Sequence, residues 1–340
     1  MRKVIIALLI VIVFLMGGWL IWHNSESAAD FLHPTTKYAI WAFIIGALVT
    51  ISLPMGAMAG LAFKPGSRMT AIFTAFGAGA LLAALSVELI APTVSEIVGQ
   101  SESPTHMAHD KQHALLTMGA LLIGCIAGGF LFYTLDELIN SKGGFIRKVG
   151  STISHLTHKK NHVAIEAKEI SHAQKEGAEE HGGAPMAIWL GLLIDGIPES
   201  FVIGAGFLAI LSAKLAVGGT PGFSEVLPYT LIAGLFLSNF PESLSASLGM
   251  KKSGMSTGKI MMMWMSLVLI IALGSLAGYY IGASIPHTIE IGIEGLAAGA
   301  MLTMIAQTMI PEAVHLGGSK AVGLSTLIGY LSAVAFKLFE

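Results

Sequence analysis

The stretch IWLGLLIDGIPESFVIGAGFLAIL runs from Ile188 to Leu211 and is apolar except at its centre, where Asp195, Pro198 and Glu199 interrupt it. It is long enough to cross a bilayer, which takes roughly 20 residues of helix. A second version of its centre follows. DGIPES occupies residues 195–200 and SNFPES occupies residues 238–243. In each, proline removes a backbone donor and presses on the carbonyl four residues back, Ile194 in the first and Leu237 in the second. A break is therefore expected in both helices, with the freed carbonyl facing a lined cavity or a polar partner. Asp195 and Glu199 are spaced i,i+4, as are Ser238 and Glu242, while Asn239 and Glu242 are i,i+3, so each set shares one helix face.

The rest of the chain sets these segments in a membrane. Of 340 residues, 54% are hydrophobic and only 12% are charged, about half the charge of a soluble protein. Nine apolar segments are read, at about 4–22, 38–63, 70–94, 113–135, 186–212, 228–249, 259–282, 292–313 and 320–338. The first, within residues 1–30, is expected to be an uncleaved anchor or a signal-like span. With the N-terminus inside, 15 of the 19 lysines and arginines fall on the inner side. Only Lys37, Lys111, Lys214 and Lys337 fall outside, a strong positive-inside bias. The expectation is a multi-pass protein of the cell inner membrane, N-terminus cytoplasmic and C-terminus outside. The net charge of −2 gives no footprint for nucleic acid. Cys125 is the lone cysteine, so no intrachain disulfide is possible.

Carboxylates in a low-dielectric interior repel one another and are costly to desolvate. No lysine or arginine lies at the depth of the two PES segments in either span. A cation that comes and goes is the simplest countercharge, and carboxylate and amide oxygens suit divalent ions. The candidate ligands are Asp195, Glu199, Ser238, Asn239 and Glu242. No nucleotide-binding motif occurs, so no ATP hydrolysis is suggested. Gly-rich runs such as GAMAG and GAGA lie inside spans, where small residues favour close helix packing. Ser200 and Ser243 have no accompanying histidine, so an intramembrane hydrolase is disfavoured and the chain is not expected to be an enzyme.

On these motifs the chain resembles the ZIP (Zrt/Irt-like) family of divalent metal transporters over about residues 38–338, with DGIPES in one span, SNFPES in the next and a long inside loop just before the pair. The resemblance implies an all-α polytopic membrane protein, with an eight-helix transporter core plus one additional N-terminal transmembrane helix. It also implies two neighbouring metal sites along the pathway. Asp195 matches a position where that family typically has histidine, Gly196 an adjacent ligand position, and Glu199 the glutamate. Ser238, Asn239 and Glu242 match ligand positions of the following span. The absence of histidine leaves a harder oxygen site and tilts preference toward manganese or ferrous iron without excluding zinc. The implied function is uptake of zinc, iron or manganese by alternating access, with no cofactor. The alternative is a membrane metal sensor or scaffold that has lost transport. Expected partners are divalent metal cations, the lipid bilayer and a second copy of the chain in a homodimer.

An internal repeat fits the same architecture. GAGALLAALSVELIAP at 77–92 resembles LAAGAMLTMIAQTMIPEA at 296–313, aligning Gly79 with Gly299 at an offset of 220. Inverted repeats are common in transporters. Glu88 is the acid of the first copy, a candidate to line the route or to hold the bundle together. Its counterpart is Thr308, with Gln307 before it and Glu312 one turn on. Asp136 and Glu137 end a span on the inner side and mark a candidate exit. His106, His109 and His113 are expected to gather metal weakly at an outer loop. His155, His158 and His162 are expected to do so in the cytoplasmic loop, 136–185. Met261, Met262, Met263 and Met265 point in several directions and read as packing. Trp19, Trp22 and Trp41 read as interfacial anchors.

Overall fold

The computed structural model describes residues 34–100, 107–139, 183–218 and 220–339. The N-terminal span and the loop histidines His155, His158 and His162 lie outside the described residues, as does His106. Every described element is helical. The helices are α1 (Pro34–Thr50), α2 (Ser52–Phe63), α3 (Ser67–Ala84), α4 (Ala91–Gln100), α5 (Met107–Ile139), α6 (Gly183–Ala216), α7 (Tyr229–Lys252), α8 (Thr257–Gly282), α9 (His287–Met304), α10 (Ile310–Gly317) and α11 (Ser319–Ala335).

Helices α1 and α2 make one span, as do α3 with α4 and α9 with α10. Among the described residues seven spans are long and apolar enough to cross a membrane, and the chain is an all-α, polytopic membrane protein. Helix α7 is an eighth long helix and the most polar of the set. It carries Ser238, Asn239, Glu242, Ser243, Ser245 and Ser247, and it packs against α2 and α3.

The expected repeat has a structural counterpart. A π-helical turn follows α3 at Leu85–Ile90, and another follows α9 at Ile305–Met309. Their starts, 85 and 305, are again 220 residues apart. The packing repeats as well. A β-carbon on Gly79 would overlap the carbonyl of Thr326, and one on Gly329 the carbonyl of Phe76. In the other copy, a β-carbon on Gly299 would overlap the carbonyl of Cys125, and one on Gly128 the carbonyl of Leu296. Residues 76 and 79 map to 296 and 299. Residues 125 and 128 map to 326 and 329, a second constant offset of 201. Thus α3 against α11 and α9 against α5 are two versions of one glycine-mediated contact, in which missing side chains let backbones approach.

Cross-helix contacts join residues that the up-and-down threading places at the same end. Lys337 meets Glu88, His287 meets Glu96, and Tyr229 lies against Phe339. At the opposite end Gln307 meets Asp136, Ser245 meets Glu312, and Trp264 donates to Ser247. Trp41 departs from the expectation of an interfacial anchor. It is buried, edge-on to Phe223, with Lys37 Nζ 4.7 Å from its ring centroid. The methionines fit the packing reading: Met261 and Met263 lie against the core, while Met262 is exposed.

Candidate functional site

Both PES segments lie within continuous helices, so the expected breaks are absent. Pro198 is interior to α6 and Pro241 is interior to α7. The serine beside each proline bonds back to its own helix. Ser200 Oγ donates to the Ile197 carbonyl at 2.8 Å, and Ser243 Oγ donates to the Phe240 carbonyl at 3.0 Å. The Leu237 carbonyl, deprived of its donor by Pro241, points toward Gly77 of α3, where a β-carbon would come within 2.9 Å of it.

Helices α6 and α7 touch each other. Glu199 and Asn239 are each only 4% exposed, Ser238 is buried, and Glu242 is half-buried. Asp195 is part of α6, but its side chain lies outside the described ones. Among the described residues, the buried Nδ2 atom of Asn239 has no hydrogen-bond partner.

Two positions of the motifs have defined neighbours. Ser238 Oγ donates to the Leu235 carbonyl at 3.0 Å, which commits its proton to its own helix. Gly196 faces α8, where a β-carbon would stand 2.7 Å from Ile271 Cδ1. A ligand side chain at 196 would meet an apolar neighbour rather than the α6–α7 seam. Among the described residues no three His, Cys, Asp or Glu side chains converge to hold a metal.

Glu88 sits in the first π-helical turn and pairs with Lys337, whose Nζ lies 3.0 Å from Glu88 Oε1. This contact supports the bundle-holding reading of Glu88. In the second repeat, Gln307 Nε2 donates to Asp136 Oδ2 at 3.0 Å. The offset of 201 relates Lys337 to Asp136, and Gln307 adjoins Thr308, the counterpart of Glu88. Glu312 accepts from Ser245 Oγ at 3.3 Å, one turn beyond Glu242. His109 and His113 are in the first turns of α5, with side chains outside the described set.

Sequence reasoning missed one further cluster. His287 touches Glu96 and Glu290, with Glu294 nearby. The i, i+3, i+7 spacing of His287, Glu290 and Glu294 was visible in the chain. Glu96, 191 residues away, was not. No family model matches the chain, and no curated protein shows significant similarity to it.

Proposed function

We propose that the chain carries divalent metal cations across the membrane, with zinc, iron or manganese as substrate, along the seam between α6 and α7. The observation that supports this most is the polarity of α7. Its Thr230, Ser238, Asn239, Ser243 and Ser247 are buried within the protein, while apolar residues of neighbouring helices form the exposed surface. A membrane helix with its polar residues turned inward lines an interior route or a site, because lipid offers those groups no partner. Glu199 brings a buried carboxylate to this interior. The resemblance of the two PES segments to the ZIP family supplies the reading of that interior as a metal route opened alternately to each side. In the inner membrane, a potential negative inside favours cation entry by about 2.3 kcal/mol per charge per 100 mV, so uptake needs no ATP.

A second reading, a metal sensor or scaffold without transport, is favoured by Gly196, which offers no side-chain ligand and faces Ile271. Initial uptake of manganese, iron, zinc and cadmium into vesicles separates the two. Transport predicts accumulation that falls to background in Glu199→Gln and Glu242→Gln at matched amounts of folded protein. Absence of accumulation for every metal in the unaltered protein, with metal binding retained, overturns transport in favour of the sensor.

A further inference from the structure

Pro286 caps α9 in an extended conformation, so the helix starts at His287 and places Glu290 and Glu294 on the same face. The end of α4 delivers Glu96 to this face. His287 Nε2 lies 3.0 Å from Glu96 Oε2, and His287 Nδ1 lies 3.3 Å from Glu290 Oε2. Both ring nitrogens thus face carboxylate oxygens, one on each side of the ring. Glu290 lies beside α8, with Oε1 3.8 Å from where a β-carbon on Gly282 would stand. Glu294, one turn further into the bundle, lies within electrostatic reach of Glu290, His287 and Glu96.

This arrangement counts protons. A neutral imidazole has one N–H and one lone pair. It can donate to Glu96 or to Glu290, and the other contact then sets a lone pair against a carboxylate oxygen. An imidazolium donates to both. Of the described groups acting on His287, Glu96 comes from α4 and Glu290 from its own helix, and both are acids. Without its second proton, the ring donates to one carboxylate and sets a lone pair against the other. With it, Glu96 and Glu290 both become charge-assisted partners.

We propose that Glu96, His287 and Glu290 form a proton-operated clasp between the end of α4 and the start of α9. One proton on His287 holds the two helix ends together, and its loss releases them. The clasp joins the two spans that carry the π-helical turns, so its state sets how those two spans lie at this end of the bundle. Histidine titrates in the range where such a clasp would respond near neutral pH. The device is independent of which metal, if any, the α6–α7 seam carries.

The test is a distance measured by pulsed electron paramagnetic resonance on the full chain in liposomes. Spin labels go on cysteines replacing the exposed Val94 and Ile289, in a Cys125→Ser background. At about pH 5.5, on the protonated side of the histidine range, one short, narrow distance is expected, and at about pH 8.5 a longer or broader distribution. His287→Gln, which cannot take a proton, is expected to give the high-pH distribution at both values. His287→Lys, charged throughout, is expected to keep the short distance at both. An unaltered chain with one distribution at both pH values overturns the proposal. So does a pH-dependent shift that persists in His287→Gln, or a His287→Lys chain that still opens at high pH.

Discussion

Lys337 Nζ lies 3.0 Å from Glu88 Oε1, joining the last turn of the chain to the π-helical turn after α3 across 249 residues of sequence. The corresponding bridge at the opposite end, Gln307 to Asp136, has the same length but carries one charge instead of two. The glycine contacts between α3 and α11, and between α9 and α5, lie between these bridges. Each outer helix pair is therefore fixed along its length by backbone packing and at one end by a polar clasp.

Removing one member of the charged clasp takes this ion pair from the other. Glu88 is only 10% exposed and Lys337 is 48% exposed, so the cost falls between that of a surface pair and a buried one, about 1–3 kcal/mol. Lys337→Met is expected to lower the thermal unfolding midpoint in detergent by several degrees. Lys337→Met with Glu88→Gln is expected to recover most of that loss. A double variant less stable than the single one contradicts the assignment.

The glycine contacts make a paired prediction. Gly79→Ala and Gly299→Ala place a methyl group against a backbone carbonyl that cannot step aside, at a cost of about 1–3 kcal/mol each. Gly119→Ala and Gly323→Ala enter open space and should be neutral or gain up to about 1 kcal/mol from reduced backbone freedom. Unfolding midpoints of the four variants check this, and equal effects at all four positions would refute the packing argument.

Gly196 faces the Ile271 side chain, so a larger residue there meets α8 first. Gly196→His is expected to destabilise the protein and leave metal uptake no higher, because the new side chain meets Ile271. Pairing it with Ile271→Ala should return much of the stability. An increase in zinc uptake in the single variant, at unchanged stability, would show that position 196 faces the seam after all.

Asp195→His offers the contrasting case, since position 195 shares its helix face with the buried Glu199. Imidazole favours zinc over manganese relative to carboxylate. The ratio of zinc to manganese initial uptake is expected to rise several-fold while folded protein stays constant. A fall in both uptakes in proportion would remove Asp195 from the selectivity role.

The helices, the polar PES segments and the repeat at an offset of 220 were all legible in the sequence, because apolar length, proline and glycine placement, and similarity between segments are local properties. The chain also determined which residues share an end of the bundle, since charge bias and span count together specify an up-and-down threading. Tertiary packing decided the rest. It kept α6 and α7 continuous through Pro198 and Pro241, with Gly77 leaving room for the carbonyl that Pro241 frees. It turned Gly196 toward Ile271, gave Glu88 to Lys337, and brought Glu96 to His287. The physical reason is that helical periodicity tells which residues lie on one face, whereas the neighbour that covers the face depends on close approaches between helices far apart in the chain.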